Sequence, residues 1–169
     1  HYIPFDKPTD SIGVTVTETR HQHTTNFDDL EADAIIELLN EEDRHVAQVV
    51  SSLRSIIAPI AIRVAESIAK GGRVFYLGAG TSGRLGVLDA SEIPPTFSAP
   101  RSWFQGLIAG GDGALRNAVE GAEDNREQGA LDIAEKDITD LDIVIGIASS
   151  GTTPYVHGAL EKSSNLGAY

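Results

Sequence analysis

The sequence predicts an α/β fold: a parallel sheet flanked by helices, preceded by an N-terminal helical segment. Three observations predict it. Apolar runs of strand length at 73–77, 103–109 and 142–148 alternate with stretches of helical period. The run from Asp142 to Ala148 is apolar along nearly its full length, as suits a strand covered on both faces. The first and third runs end in glycine- and hydroxyl-rich turns that lead into a helix. The order helix, strand, helix, strand, helix, strand, helix implies right-handed crossovers in a parallel sheet. Ligands of such sheets sit beyond the carboxyl ends of the strands.

Composition narrows the function classes. A chain of 169 residues with 41% hydrophobic residues fits one domain with a proper core. A formal net charge of −12 argues against nucleic acid and anionic membranes as partners, though not against a small phosphorylated ligand. With no cysteine there is no disulfide framework and no thiolate chemistry, which suits a reducing cytoplasm. No apolar run approaches the roughly 18 residues of a membrane span. The chain lacks methionine and stops just past a helix end, where an alternating chain would begin its next strand. It therefore reads as the N-terminal part of something longer.

Residues 1–27 mix histidine, threonine and proline without period and read as an extended arm. The domain is expected over 28–169. His21 and His23 have no third ligand in reach by sequence, so no metal is expected there. A first helix is expected from Asp28 to Leu39, with Asp28 and Glu31 as a capping box. Asn40 is placed to cap a second, longer stretch, in which Val46, Val49, Leu53, Ile57 and Ile60 recur at three and four. Pro59 should kink or split that stretch, and Gly71-Gly72 should close it.

The central stretch is Arg73 to Phe97. A β-branched and aromatic run leads to Gly78 and Gly80, where the backbone turns, and Thr81 and Ser82 then open a helix. Pro94 and Pro95 are expected to end that helix, since neither donates an amide hydrogen. After the second run, Gly110, Gly111 and Gly113 should turn into a helix carrying Arg116, Asn117, Val119 and Glu120. A break at 121–125 precedes a restart from Arg126 to Lys136. The third run leads into Ser149-Ser150-Gly151-Thr152-Thr153, then a helix with Thr153 as cap, Pro154 as first residue and Gly167 as stop.

Gly78-Ala79-Gly80-Thr81-Ser82-Gly83 formally matches the dinucleotide fingerprint, but the acidic residue that should hold a ribose some 20 positions on is missing. No Gly-Lys-Ser/Thr follows, which excludes a Walker-type phosphate loop. The hydroxyls offer a better reading. Gly80, Thr81 and Ser82 in one turn, and Ser149, Ser150, Gly151, Thr152 and Thr153 in the other, fall at strand ends of one sheet. Helix-start amides and short hydroxyls can wrap a phosphate monoester without a lysine, although such hydroxyls are also commonly simple caps. Two acids stand apart from the solvated majority: Glu92, just before Pro94-Pro95, and Glu123, in a break of small residues.

At this point the residues resemble a known family. LGAGTSGRLGVLDASEIPPTF (77–97), GLIAGGDGALRNAVEGAEDNRE (106–127) and GIASSGTTPYVHGAL (146–160) are similar to N-acetylmuramic acid 6-phosphate etherases of the sugar isomerase (SIS) superfamily. The resemblance implies an SIS-type, flavodoxin-like three-layer fold and cleavage of the D-lactyl ether of N-acetylmuramic acid 6-phosphate. It also implies a homodimer and no metal or organic cofactor. By motif match Glu92 corresponds to the acid that protonates departing lactate, and Glu123 to the base at C2. One departure stands out: Thr152 replaces the arginine usual in the family's Ser-Gly-Arg-Thr-Pro-Tyr. Two other functions share this architecture: a non-catalytic sugar-phosphate-sensing regulator like the glucokinase regulatory protein, and an aldose–ketose phosphate isomerase.

Overall fold

The computed structural model describes Thr17, residues 19–21, Thr24 and residues 26–169. Most of the expected arm, His23 included, lies outside the described residues. The chain divides into two compact units, one up to Arg63 and one containing Val64–Tyr169.

A 3-10 turn at Phe27–Asp29 precedes α1 (Ala32–Ser52), and α2 (Arg54–Ala69) follows, with residues 54–63 in the first unit and 64–69 in the second. Three expectations are corrected here. Asp28 and Glu31 form no capping box: Glu31 occupies the N-cap position of α1 and its side chain makes no capping bond. Asn40 starts nothing, because α1 runs through it unbroken. The break falls at Leu53 instead of Pro59, which lies inside α2. At Leu53 the backbone leaves the helical region with ψ near 5°, and its carbonyl then accepts from both Ile56 and Ile57 to start α2. Pro59 therefore sits in the second turn, where it forgoes one ladder bond and the helix tolerates it.

The second unit carries β1 (Val74–Gly78), α3 (Gly80–Phe97), β2 (Phe104–Ile108), α4 (Arg126–Ala134), β3 (Ile143–Ile147) and α5 (Pro154–Asn165). The three strands form a parallel sheet in the order β2-β1-β3. Consecutive crossovers thus run to opposite sides of β1, and the helices lie on both faces. On one face Tyr76 points at α3, where a Cβ on Gly86 would lie 2.8 Å from its own. On the other, Phe75 and Leu77 share a core with Ile133 of α4 and Tyr155, Val156 and Ala159 of α5. These side chains are essentially inaccessible, and each large one contributes about 1.5–3 kcal/mol by leaving water. The expected three layers are present.

Two local expectations fail in this unit. Pro94 and Pro95 lie inside α3, which runs to Phe97 and stops at Ser98 in the left-handed conformation. Proline's fixed φ suits a helix; the two rings take the i+4 amide donors from the Ala90 and Ser91 carbonyls, and the helix ends two residues later. No α-helix carries Arg116 to Glu120. Asp112–Leu115 and Ala122–Asp124 are single 3-10 turns with irregular chain between them. Gly111 and Gly121 hold positive φ on either side of that chain. Tyr169 pairs with the outer edge of β3, donating its amide to Asp142 and accepting from Val144 at 2.8 Å.

Candidate active site

Register brings the two hydroxyl-bearing bends together. Gly78 of β1 is level with Ile108 of β2 and with Ile147 of β3, so all three strands end at one line. The bend after β1 and the bend after β3 leave from adjacent strands, at the point where the strand order reverses. In doubly wound sheets that switch point is where ligands bind.

The first bend is tight because its glycines leave no alternative. Gly80 takes φ +53°, a conformation that costs a residue with a side chain. Gly83 packs so closely that a Cβ there would lie 2.6 Å from both the Gly78 carbonyl oxygen and Cγ1 of Ile108. This approach seats the first turn of α3 against the end of β1, with Thr81 exposed and Ser82 half-buried. In the second bend Gly151 has φ +70°. Ser150 Oγ and Thr152 Oγ1 lie 2.7 Å apart in a mutual hydrogen bond, and His157 Nε2 lies 2.8 Å from the Gly151 carbonyl oxygen. Thr153 holds the N-cap position of α5, yet its hydroxyl makes no capping bond. The cap explanation for that hydroxyl is thereby removed.

Glu123 lines a pocket of about 190 Å³ at the same sheet edge, together with Gly80, Arg84, Val119, Glu120 and Gly121. The 3-10 turn at 122–124 brings Glu123 to this pocket, and the carboxylate-bearing residue is exposed. Arg84 stands in the first two turns of α3 and donates from Nε to the Leu115 carbonyl at 3.2 Å. Sequence reasoning passed over Arg84 and Glu120. The signal for Arg84 was its place one residue after the GxGxxG run, where a helical residue faces back over the turn.

Glu92 is not brought to this group. It lies three helical turns beyond Gly80, about 18 Å along the axis of α3, and is exposed. Its neighbour Asp89 serves a different purpose. Burial and then the adjacent Asp89 carboxylate push the Tyr76 hydroxyl up to about 12. Among the described residues no group of three or more His, Cys, Asp or Glu side chains could hold a metal ion, and no single helix is long and apolar enough to cross a membrane.

Residues 56–164 match the family described as the glucokinase regulatory protein N-terminal SIS domain. The chain belongs to this SIS family. Three relatives share the name N-acetylmuramic acid 6-phosphate etherase. That of Thermosynechococcus vestitus is 46% identical over 158 residues, which cover 94% of this chain and 51% of the relative. That of Actinobacillus pleuropneumoniae is also 46% identical, covering 94% and 52%. That of Serratia proteamaculans is 48% identical over 157 residues, covering 93% and 53%. The SIS chain thus spans about half the length of the curated relatives it matches.

Proposed function

We propose that the protein is a carbon–oxygen lyase that cleaves the D-lactyl ether of N-acetylmuramic acid 6-phosphate, giving N-acetylglucosamine 6-phosphate and D-lactate. The observation that carries this reading is the pocket shared by Glu123 and Gly80 at the carboxyl edge of the sheet, over the ends of β1 and β2. The relatives' common name supports the substrate.

In this reading the amides and hydroxyls of residues 80–82 and 149–153 hold the 6-phosphate, far from the bond that breaks, and so fix the ring in place. The sugar opens to its aldehyde, which acidifies the C2 proton. Glu123 removes that proton as general base. The electron pair forms the C2–C3 double bond, the C3–oxygen bond breaks, and lactate leaves with a proton from a neutral acid. Water then adds across the double bond, its oxygen going to C3. The motif assigns the acid to Glu92. Within one chain Glu92 is too far along α3 to reach a ring anchored at Gly80, so the reading places it in the site of a second copy, as a homodimer allows. No cofactor enters these steps, and the reaction is placed in the cytoplasm.

The test is direct. The full chain is incubated with N-acetylmuramic acid 6-phosphate, and D-lactate is assayed enzymatically. Stoichiometric lactate and N-acetylglucosamine 6-phosphate are expected. Folded protein that binds the substrate but releases no lactate would refute the proposal.

A further inference from the structure

We infer that Arg84 is the residue that recognises the carboxylate of the substrate's lactyl group, and so distinguishes the ether substrate from sugar phosphates that lack an acid side arm. The inference rests on the etherase reading above.

Three observations meet at this residue. The pocket holding Glu123 measures about 190 Å³, below the roughly 300 Å³ at which pockets begin to enclose whole small ligands. It therefore suits one end of the substrate, and Gly80, which also lines it, adjoins the hydroxyl bend at which the phosphate end lies. Two of its lining residues are the acids Glu120 and Glu123, in a protein of net charge −12. Such a pocket repels an anionic side arm unless a cation is built into its wall, and Arg84 is a cation in that wall. The guanidinium is held in place: its Nε donates to the Leu115 carbonyl at 3.2 Å, which fixes the plane of the fork against the 112–115 turn. A planar fork fixed in this way matches a carboxylate better than a mobile ammonium would.

The chemistry fits the substrate's one distinguishing anion. N-acetylmuramic acid 6-phosphate carries a phosphate and a lactyl carboxylate, whereas N-acetylglucosamine 6-phosphate keeps only the phosphate. With Glu123 in the same wall, a carboxylate on Arg84 would set the ether carbon beside the base. This orientation is the one elimination requires.

The experiment compares the two sugar phosphates as ligands of the full chain, using Arg84→Met and Arg84→Lys. Arg84→Met should raise KM for N-acetylmuramic acid 6-phosphate about ten- to hundredfold, the range for losing a charge-assisted hydrogen bond. Binding of N-acetylglucosamine 6-phosphate should change by less than about twofold. Arg84→Lys should fall between, because it keeps the charge and loses the fork, and it serves as the folded comparison if the methionine variant is unstable. Equal weakening of both sugar phosphates would overturn the inference and make Arg84 a phosphate ligand or a scaffold residue. An unchanged KM would overturn it as well. Either outcome leaves lactate release by the unaltered protein standing. Absence of that release sinks the etherase reading itself, and this inference with it.

Discussion

The two edges of the sheet use polar residues in opposite ways. At the amino edge, Asp142 is only 1% exposed and sits in a closed network. It accepts from the Arg73 backbone at 2.8 Å, from Nε and Nη2 of the Arg73 side chain at 3.1 and 2.7 Å, and from the amide and hydroxyl of Thr139. The same guanidinium donates to the Asp137 carbonyl, and Ser67 closes the neighbouring gap by donating to the Leu141 carbonyl at 2.6 Å. At the carboxyl edge the hydroxyls bond each other, as Ser150 and Thr152 do, or stand at the surface like Thr81. Where strands must be locked in register, polar groups are consumed by other protein groups. Where the proposed ligand would be held, Thr81 and Ser149 are exposed, while Ser150 and Thr152 are half-buried and bonded to each other. On the proposed reading, the stability of this unit and its chemistry are separable.

That separation can be broken or sharpened by mutation. The largest expected effect is at the carboxyl edge. Glu123→Gln should lower kcat for lactate release by about 10²–10⁴, the usual contribution of a general base, while leaving the urea midpoint unchanged. A shifted midpoint would mean that Glu123 belongs to the scaffold and that the two edges are not independent. The amino edge should respond in the opposite sense. Asp142→Asn should cost about 3 kcal/mol in urea unfolding, the low end for orphaning a buried charge, since part of the Arg73 side chain reaches solvent. Substrate KM measured well below the denaturation range should stay the same.

The Asp142 pair also predicts a pH signature. Burial by itself would raise this carboxyl, but hydrogen bonds from Arg73 and Thr139, with the Arg73 charge, outweigh it and hold the group below the usual carboxylate range. A folded value below the unfolded one means stability that is complete above the unfolded pKa of about 3.9 and is lost as pH falls through the lowered value. The acid limb of unfolding free energy against pH should be shallower in Asp142→Asn than in the unaltered chain. The smallest of these effects joins the two regions. Gly83→Ala forces α3 away from β1, at about 1–3 kcal/mol, and should weaken sugar-phosphate binding by displacing the bend. Weaker stability with intact binding would show that the bend tolerates the shift and that shape at this edge matters less than the hydroxyls.

Much of this architecture is legible in the chain before any coordinates. The strand runs, the glycine turns and the two hydroxyl clusters follow from local chemistry: period, backbone permission and short donors at helix starts. The errors share a cause. Pro94-Pro95, Pro59 and Asn40 are local signals that lost to a helix packed or continued on either side of them. The stretch from Arg116 to Glu120 has helix formers, but glycines at positive φ flank it and it stays irregular.

Sequence alone determined the parallel α/β order and the positions of both bends, because each depends on residues near one another along the chain. Only the tertiary structure decided that both bends leave adjacent strands, that Arg84 joins Glu123 in one pocket, and that Glu92 stands about 18 Å down its helix from the first bend. Strand order, pocket lining and helix direction are set by pairings between distant segments. No local pattern of residues encodes them.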